Sequence, residues 1–337
     1  MLKSLAQTRK QSLAQTIMLK SSTLLLAISS RLFKLYLTMI NIKKKSLSSK
    51  ALEGVLRIIR FKEKNSYENF LNMRSIPKPP TFFFRGSEIT SDKGRSYSHW
   101  NIVSNDKNIH KFILYFHGGA YVTSFSMGHW FLLGELYRKA LYNVLAPDYP
   151  LAPGTTADLL LKKMRSLYFD SIEKYGRENI ILMGDSAGAG LALALSQSLK
   201  KEEQPVSLYL LSPWLDLSME NPEIKNVDDK DPILNIQGLK DCAKAYAGSL
   251  DLNDPRVSPL YGKLDNLPPI KIYTGTHDIL MPDCRVLRDK LERSKSIFEY
   301  HETENMQHCG MLYPTKEGRL CLKMIKESLT ELSGQAE

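Results

Sequence analysis

No two cysteines in this chain have the spacing of a metal knuckle or a redox pair. Cys242, Cys284, Cys309 and Cys321 stand apart, with no C-x-x-C and no histidine cluster beside them. That disfavours zinc and a disulfide framework, and the four read as free thiols of a reducing compartment. Cys309 adjoins His308, but nothing near it in sequence suggests a base dedicated to a cysteine nucleophile. A long uncharged apolar run is also missing. The best stretch, residues 24–42, carries Arg31 and Lys34 at its centre. Each basic residue costs about 2.5–3.5 kcal/mol at mid-bilayer, while each Leu, Ile or Phe returns only about 0.3–0.6 kcal/mol, so no clean span is expected. Basic charge is scarce in the body of the chain despite a net charge of +10. Residues 1–64 hold 14 Lys/Arg against only Glu53 and Glu63, leaving 32 basic and 34 acidic residues in the rest. That disfavours a nucleic-acid-binding core, which needs a basic patch with stacking aromatics on the fold itself.

What the N-terminus does contain is a pattern. Lys20, Arg31, Lys34, Thr38, Asn41 and Lys45 share one narrow stripe at 100° per residue, with leucines and aromatics around the remainder. Such a basic amphipathic helix suits an anionic membrane surface. Packing of its apolar face on the body fits the same pattern equally well, and both readings stay open. The duplication of Ser4–Thr8 at Ser12–Thr16 has a period of eight, which fits no helical face and reads as low-complexity sequence. Thr23–Ile28 is a short core for a secretory signal and Ser29-Ser30-Arg31 a poor cleavage site. The expectation is a cytoplasmic protein, with membrane association through the arm as its variant.

The chain has 337 residues, 43% of them apolar, enough for a large core. Phe82–Thr90, a turn at Ser91–Gly94 and Tyr97–Val103 read as an antiparallel hairpin. Lys111–Phe116 is a continuous apolar strand of the kind buried on both faces. Helices are then expected at Phe131–Leu141, Thr155–Tyr175, Ala187–Lys201, Pro282–Arg293 and Lys316–Leu332. Strands fall between them at Val144–Ala146, Asn179–Met183, Val206–Leu211, Ile270–Tyr273 and Ile297–Tyr300. This alternation predicts an α/β fold with a mostly parallel sheet covered by helices on both faces. Residues 214–262, rich in Asp, Asn and Pro and with a helix at Leu239–Ala247, interrupt it as an insertion. Together with a region at 46–80 they are expected to cap the site. The expected organisation is therefore an arm (1–45), an N-terminal cap region (46–80) and a catalytic domain (81–335).

Gly184-Asp-Ser-Ala-Gly188 lies between the Asn179–Met183 strand and a helix. Strand, sharp turn and helix with serine at the apex is the geometry of a nucleophile elbow. A serine hydroxyl needs a base, and the base an orienting carboxylate, in the chain order serine, acid, histidine. Of seven histidines, only His277, His301 and His308 follow Ser186. His308 is favoured because it sits in a loop beyond the last expected strand, whereas His301 closes that strand and His277 precedes the favoured acid. That acid is Asp278, in the turn after Ile270–Tyr273, with Asp283 as fallback and Asp254 read as a turn residue. A tetrahedral oxyanion needs preorganised N–H donors. The loop His117-Gly-Gly-Ala120 offers Gly119 and Ala120, with Gly118 as a further candidate, beside the amide of Ala187. His117 itself is read as structural.

With these residues in place, the chain resembles the hormone-sensitive-lipase-like branch of the α/β-hydrolases, the family IV esterases. The resemblance is carried by His117-Gly-Gly-Ala-Tyr121, Asp148-Tyr-Pro-Leu-Ala-Pro153, Gly184-Asp-Ser-Ala-Gly188, Ser212-Pro-Trp-Leu-Asp216, Asp254-Pro-Arg-Val-Ser-Pro259, Gly275-Thr-His-Asp278 and Met306-Gln-His308, and covers residues 80–335. It implies Ser186 as nucleophile, Asp278 as acid and His308 as base, a cap drawn partly from the N-terminus, no metal or cofactor, and carboxylester substrates with short to medium acyl chains. Deacetylation of a sterol, sugar or natural-product ester by the same machinery stays open, as does homo-oligomerisation. A non-catalytic binder of the same fold would ordinarily lack a triad residue, and all three are here. Two departures stand out. Ala120 replaces the third glycine of the family's H-G-G-G, which narrows the pocket against bulky tertiary-alcohol esters. Pro150 and Gly154 replace the family's usual Arg and Glu, so a structural ion pair is expected to be missing.

Overall fold

Short apolar runs separated by amphipathic helices form one sheet here. The computed structural model describes residues 45–73, 75–92 and 96–333. The arm expected over residues 1–45 lies outside them except for Lys45, as do residues 93 and 94 of the expected hairpin turn. Among the described residues no helix is long and apolar enough to cross a membrane.

The chain opens with helices α1 (Leu47–Ile58), α2 (Phe61–Lys64) and α3 (Tyr67–Leu71). Strands β1 (Ser87–Asp92), β2 (His99–Ser104) and β3 (Phe112–Phe116) follow, then α4 (Met127–Lys139), β4 (Asn143–Pro147), α5 (Ala157–Tyr175), β5 (Ile180–Asp185) and α6 (Ala187–Gln197). The second half contains β6 (Ser207–Leu211), α7 (Lys225–Asp228), α8 (Ile236–Ala247), β7 (Ile270–His277), α9 (Met281–Ser294), β8 (Phe298–Gln307) and α10 (Lys316–Ser333). The eight strands lie in the order β1-β2-β4-β3-β5-β6-β7-β8. β2 pairs antiparallel with β1 and β4, and every other pairing is parallel. This is the expected α/β fold with its antiparallel start. β3, β4, β5 and β6 are buried at every position, as continuous apolar strands between two helical layers must be.

The structure moves several element boundaries, among them the first strand, which starts at Ser87 and not Phe82, and β7, which runs to His277 and not Tyr273; three further shifts have a local reason. α4 starts at Met127 and not Phe131, because Ser126 caps it and the His129 ring accepts the Ser126 N–H at 2.8 Å. α8 starts at Ile236, where the Asn235 side chain accepts the Gly238 N–H at 2.8 Å. β8 runs on to Gln307, well past the expected Tyr300. It is an edge strand with one open side, so Glu299, His301 and Glu304 sit in it without being buried. His301 is therefore mid-strand, stacked on Tyr273 and 3.2 Å from Glu299, and β8 delivers His308 directly from its end.

Residues 46–71 and the insertion are stitched to each other. Arg57 and Lys62 donate to the carbonyls of Asp229 and Asp228, and Asn65 Nδ2 donates to the Ile233 carbonyl at 2.6 Å. A Cβ on Gly238 would meet the Asn65 carbonyl at 2.0 Å, so α8 approaches the Asn65 backbone only because that position is glycine. Ser46 and Ser49 fasten α1 to the Glu317 carboxylate of α10, each hydroxyl at 2.6 Å.

Candidate active site

Ser186 sits between β5 and α6 with φ 51° and ψ −121°, a conformation that costs an ordinary residue energy and persists only where its surroundings fix it. Here they do. Its N–H donates to Leu211 O at 2.9 Å, and its carbonyl accepts from the N–H groups of Ala189, Gly190 and Trp214. The neighbouring glycines are spatial necessities. A Cβ on Gly184 would lie 2.4 Å from Gly188 O, and one on Gly188 2.0 Å from Phe116 O.

His308 follows β8, and its Nδ1 lies 2.9 Å from Asp278 Oδ2. The other Asp278 oxygen accepts the Leu280 N–H at 2.9 Å, so the carboxylate is held in its turn. Burial alone would lower the His308 pKa, but the bonded Asp278 and the charges of Asp231 and Asp185 outweigh it and raise it above the ordinary value. On its other side, His308 Nε2 has Cys309 Sγ at 3.4 Å. No sequence feature suggests a base dedicated to Cys309, yet the fold sets the His308 ring beside it. The thiol nonetheless stays protonated, because burial and the charges of Asp185 and Asp278 push it well above its usual range. All four cysteines are free and buried.

The alternatives fall elsewhere. Asp283 lies in the first turn of α9, where its Oδ1 accepts from Asn221 Nδ2 at 2.7 Å, and burial pushes its carboxyl up to about 7. Asp254 forms a fork with Arg256, at 2.9 and 2.6 Å. His277 pairs in register with Gln307 at the end of β7. His117 is fully buried, stacked on Tyr149, with Nδ1 2.7 Å from Gly118 O, and burial together with His129 lowers its pKa to about 3.

In the loop expected to hold the oxyanion, Gly118 leaves the expected donor set. Its N–H is committed to Asp185 Oδ1 at 2.8 Å and cannot also serve a substrate. Gly119 and Ala120 line the cavity with Ser186, at φ 111° and 53°. The Gly119 carbonyl is turned away by the N–H groups of Val122 and Thr123 and by Thr123 Oγ1, all at 3.0 Å. Among the described residues none accepts from the N–H of Gly119, Ala120 or Ala187. The Ala187 amide opens α6, where no partner within the helix exists.

Two carboxylates went unnoticed in the sequence. Asp185 accepts from Tyr115 Oη and the Gly118 N–H, and from His129 Nε2 at 3.2 Å. Because His129 Nδ1 already accepts the Ser126 N–H, its Nε2 is left to donate. Burial works to raise the Asp185 carboxyl, but His129, Tyr115 and the Gly118 amide outweigh it and hold it at about 2. Asp231, from the insertion, is fully buried beside Asp278. The residue between the glycine and serine of the elbow was the only signal for Asp185, and Asp231 had none.

Ser186, His308 and Cys309 open onto a cavity of about 350 Å³. Its far wall is built from Phe61, Phe70 and Met73 of the N-terminal region and Ile233, Leu234 and Leu239 of the insertion. Among the described residues no cluster of His, Cys, Asp and Glu has the makings of a metal site.

Comparison with known proteins identifies the family and the fold. Residues 113–312 match the alpha/beta hydrolase fold family. An esterase of Acinetobacter venetianus is 32% identical over 228 residues, which cover 66% of this chain and 72% of that protein. Esterase LipU of Mycobacterium tuberculosis is 33% identical over 236 residues, covering 66% and 78%. The crystal structure of EstE7, a homologue of hormone-sensitive lipase from a metagenome library, superposes with a TM-score of 0.74 at 23% identity, covering 86% of this chain and 99% of that one, and attests the fold. The chain belongs to the α/β-hydrolase family and is a hydrolase of carboxylic ester bonds.

Proposed function

We propose that the protein is a serine carboxylesterase for short- to medium-chain acyl esters, with Ser186 as nucleophile, His308 as base and Asp278 as the acid that orients it. The observation that carries this reading is the 2.9 Å His308–Asp278 bond opening onto the same cavity as Ser186 and the unengaged amides of Gly119 and Ala120. Asp278 holds the proton on His308 Nδ1, which leaves Nε2 as the acceptor for the Ser186 hydroxyl proton. That proton transfer requires the ring to exchange its Cys309 neighbour for Ser186 when substrate enters, since catalytic hydrogen bonds tighten in the Michaelis complex. Ser186 Oγ attacks the ester carbonyl, and the developing oxyanion takes hydrogen bonds from Gly119, Ala120 and Ala187. Collapse expels the alcohol, protonated by His308 Nε2, and leaves an acyl-enzyme. Water, deprotonated by the same nitrogen, releases the acid and restores Ser186.

The cavity volume is at the small end of the range for small-molecule sites, which favours short acyl groups. The Ala120 side chain projects where a glycine would leave room, against bulky tertiary alcohols. Hydrolysis of p-nitrophenyl acetate and butyrate tests the reading. Ser186→Ala, folded, is expected to lower kcat by about 10⁴-fold or more, and retained hydrolysis would overturn it. The basic arm is proposed to hold the enzyme at an anionic membrane surface. Flotation with anionic vesicles, lost on deleting residues 1–45, supports this, and unchanged flotation refutes it.

A further inference from the structure

Asp231 is the only residue of the insertion whose side chain reaches the turn carrying Asp278 among the hydrogen bonds of the described residues, and it does so with no side-chain partner. Its Oδ2 accepts the Ile279 N–H at 3.0 Å. Its Oδ1 accepts the N–H groups of Ile233 and Leu234, at 2.8 and 3.0 Å. Ile279 immediately follows Asp278, while Ile233 and Leu234 are part of the cavity wall. Consecutive amides of one turn are thus clamped by two carboxylates, Leu280 by Asp278 itself and Ile279 by Asp231. A buried carboxylate satisfied only by backbone N–H groups fixes those backbones firmly, because charge-assisted bonds are roughly twice as strong as neutral ones.

The placement is costly in isolation. Burial and the Asp278 charge both raise the Asp231 carboxyl, and His308 and the backbone amides bonded to it oppose them. The charged and titratable groups facing it are Asp278, His308 and Tyr313. A residue that served packing alone would do better as an apolar side chain of the same size.

We propose that Asp231 is a positioning residue that locks the acid turn of the triad to the substrate-facing wall of the cap, so that the wall and the Asp278–His308 pair keep one register. The inference rests on the triad reading above and names a further residue for it. It makes the insertion part of the catalytic machinery and not merely a cover. It also gives the enzyme a route by which a substrate pressing on Ile233 and Leu234 acts on the orientation of His308.

The test is Asp231→Asn, with active sites counted by a fluorophosphonate that labels Ser186. An asparagine has one acceptor for three N–H groups, so its amide must face a donor on one side. Expected is a fall in kcat per labelled site of about 10- to 100-fold, the equivalent of one lost charge-assisted bond. The acid limb of kcat/KM should also move to lower pH, because one of the carboxylates that hold the His308 proton is gone. A lower melting temperature with wild-type kcat per labelled site and an unmoved limb would mean a purely structural role and overturn the proposal. If the asparagine variant does not fold, Asp231→Glu keeps the charge but displaces it by one methylene. Its limb should stay near that of wild type while kcat falls, and a wild-type kcat overturns the proposal there too. Failure of the triad reading looks different: Ser186→Ala would then hydrolyse ester or escape its loss of labelling.

Discussion

The two sides of the cavity are built on opposite principles. On the floor, almost every polar group is already engaged by another. Asp185 binds Tyr115, Gly118 and His129, Asp278 binds His308 and Leu280, and the Ser186 backbone is tied at both ends. Among the described residues the groups left unengaged include the amides of Gly119, Ala120 and Ala187, where charge is proposed to develop. On the cap side the lining is mainly apolar, comes from two distant stretches of chain, and includes the exposed Met73. A preorganised floor fits one reaction, since its dipoles need not move as charge develops. A wall of interchangeable apolar side chains sets which molecule is admitted, and tolerates substitution. The contrast predicts that mutations on the floor act on kcat and those on the wall act on selectivity.

The largest test of that contrast short of removing the nucleophile is Asp185→Ala. It leaves Tyr115, His129 and the Gly118 amide without their common acceptor, all buried. Breaking a buried charged network in this way costs about 3–5 kcal/mol of stability. Loss of one anchor of the proposed oxyanion loop is expected to add a fall in kcat of about 10²–10³-fold. Thermal unfolding and kcat per labelled active site measure the two parts. Wild-type kcat in the folded fraction would show that the loop holds its shape without Asp185.

Next in size is the response to pH. His308 must be neutral to accept a proton, and its pKa is raised above the ordinary histidine value by Asp278, Asp231 and Asp185 acting against burial. The acid limb of kcat/KM should therefore lie above about pH 6.5, falling roughly tenfold per pH unit below it. The stability effect has the opposite sense. A raised folded-state pKa contributes stability that is complete below the unfolded value and lost as pH rises through the folded one. Over this window the enzyme should become less active and no less stable with respect to His308 as pH falls. A limb at or below the free-histidine value would contradict the charge arrangement on the floor.

The same contrast explains what the sequence disclosed. The elbow was legible because backbone contact between β5, α6 and β3 admits only glycine at positions 184 and 188, and such a constraint shows as two glycines within one short stretch. His308 and Asp278 were legible because the chemistry demands particular residue types in a known chain order. The end of β8 was not, since an edge strand needs no apolar alternation to mark it. The engagement of Gly118 was hidden as well. Its acceptor is 67 residues away in sequence, so no local pattern separates its amide from those of Gly119 and Ala120. Asp231 was the least visible of all, because its partners are three backbone N–H groups that every sequence has.

The smallest expected effect lies on the wall. Phe70 is buried on α3, contacts the cavity, and shares the wall with Leu239 of the insertion. Phe70→Leu removes the reach of the ring but keeps an apolar, helix-compatible side chain, so the wall retreats without exposing a polar group. The stability cost is that of a modest core change, about 1–1.5 kcal/mol. Because Phe70 is an apolar wall residue with no group to bond Ser186 or His308, kcat for an acetyl ester should stay within about twofold of wild type. Room gained along the wall is worth about 0.8 kcal/mol per additional buried methylene, so the preference for longer acyl chains should rise only a few-fold. A p-nitrophenyl ester series from acetate to octanoate reads this directly. A fall in kcat on the acetyl ester with an unchanged chain-length profile would mean that the wall helps to set the geometry of the floor beyond the Asp231 contact, and that the division between the two sides is not clean.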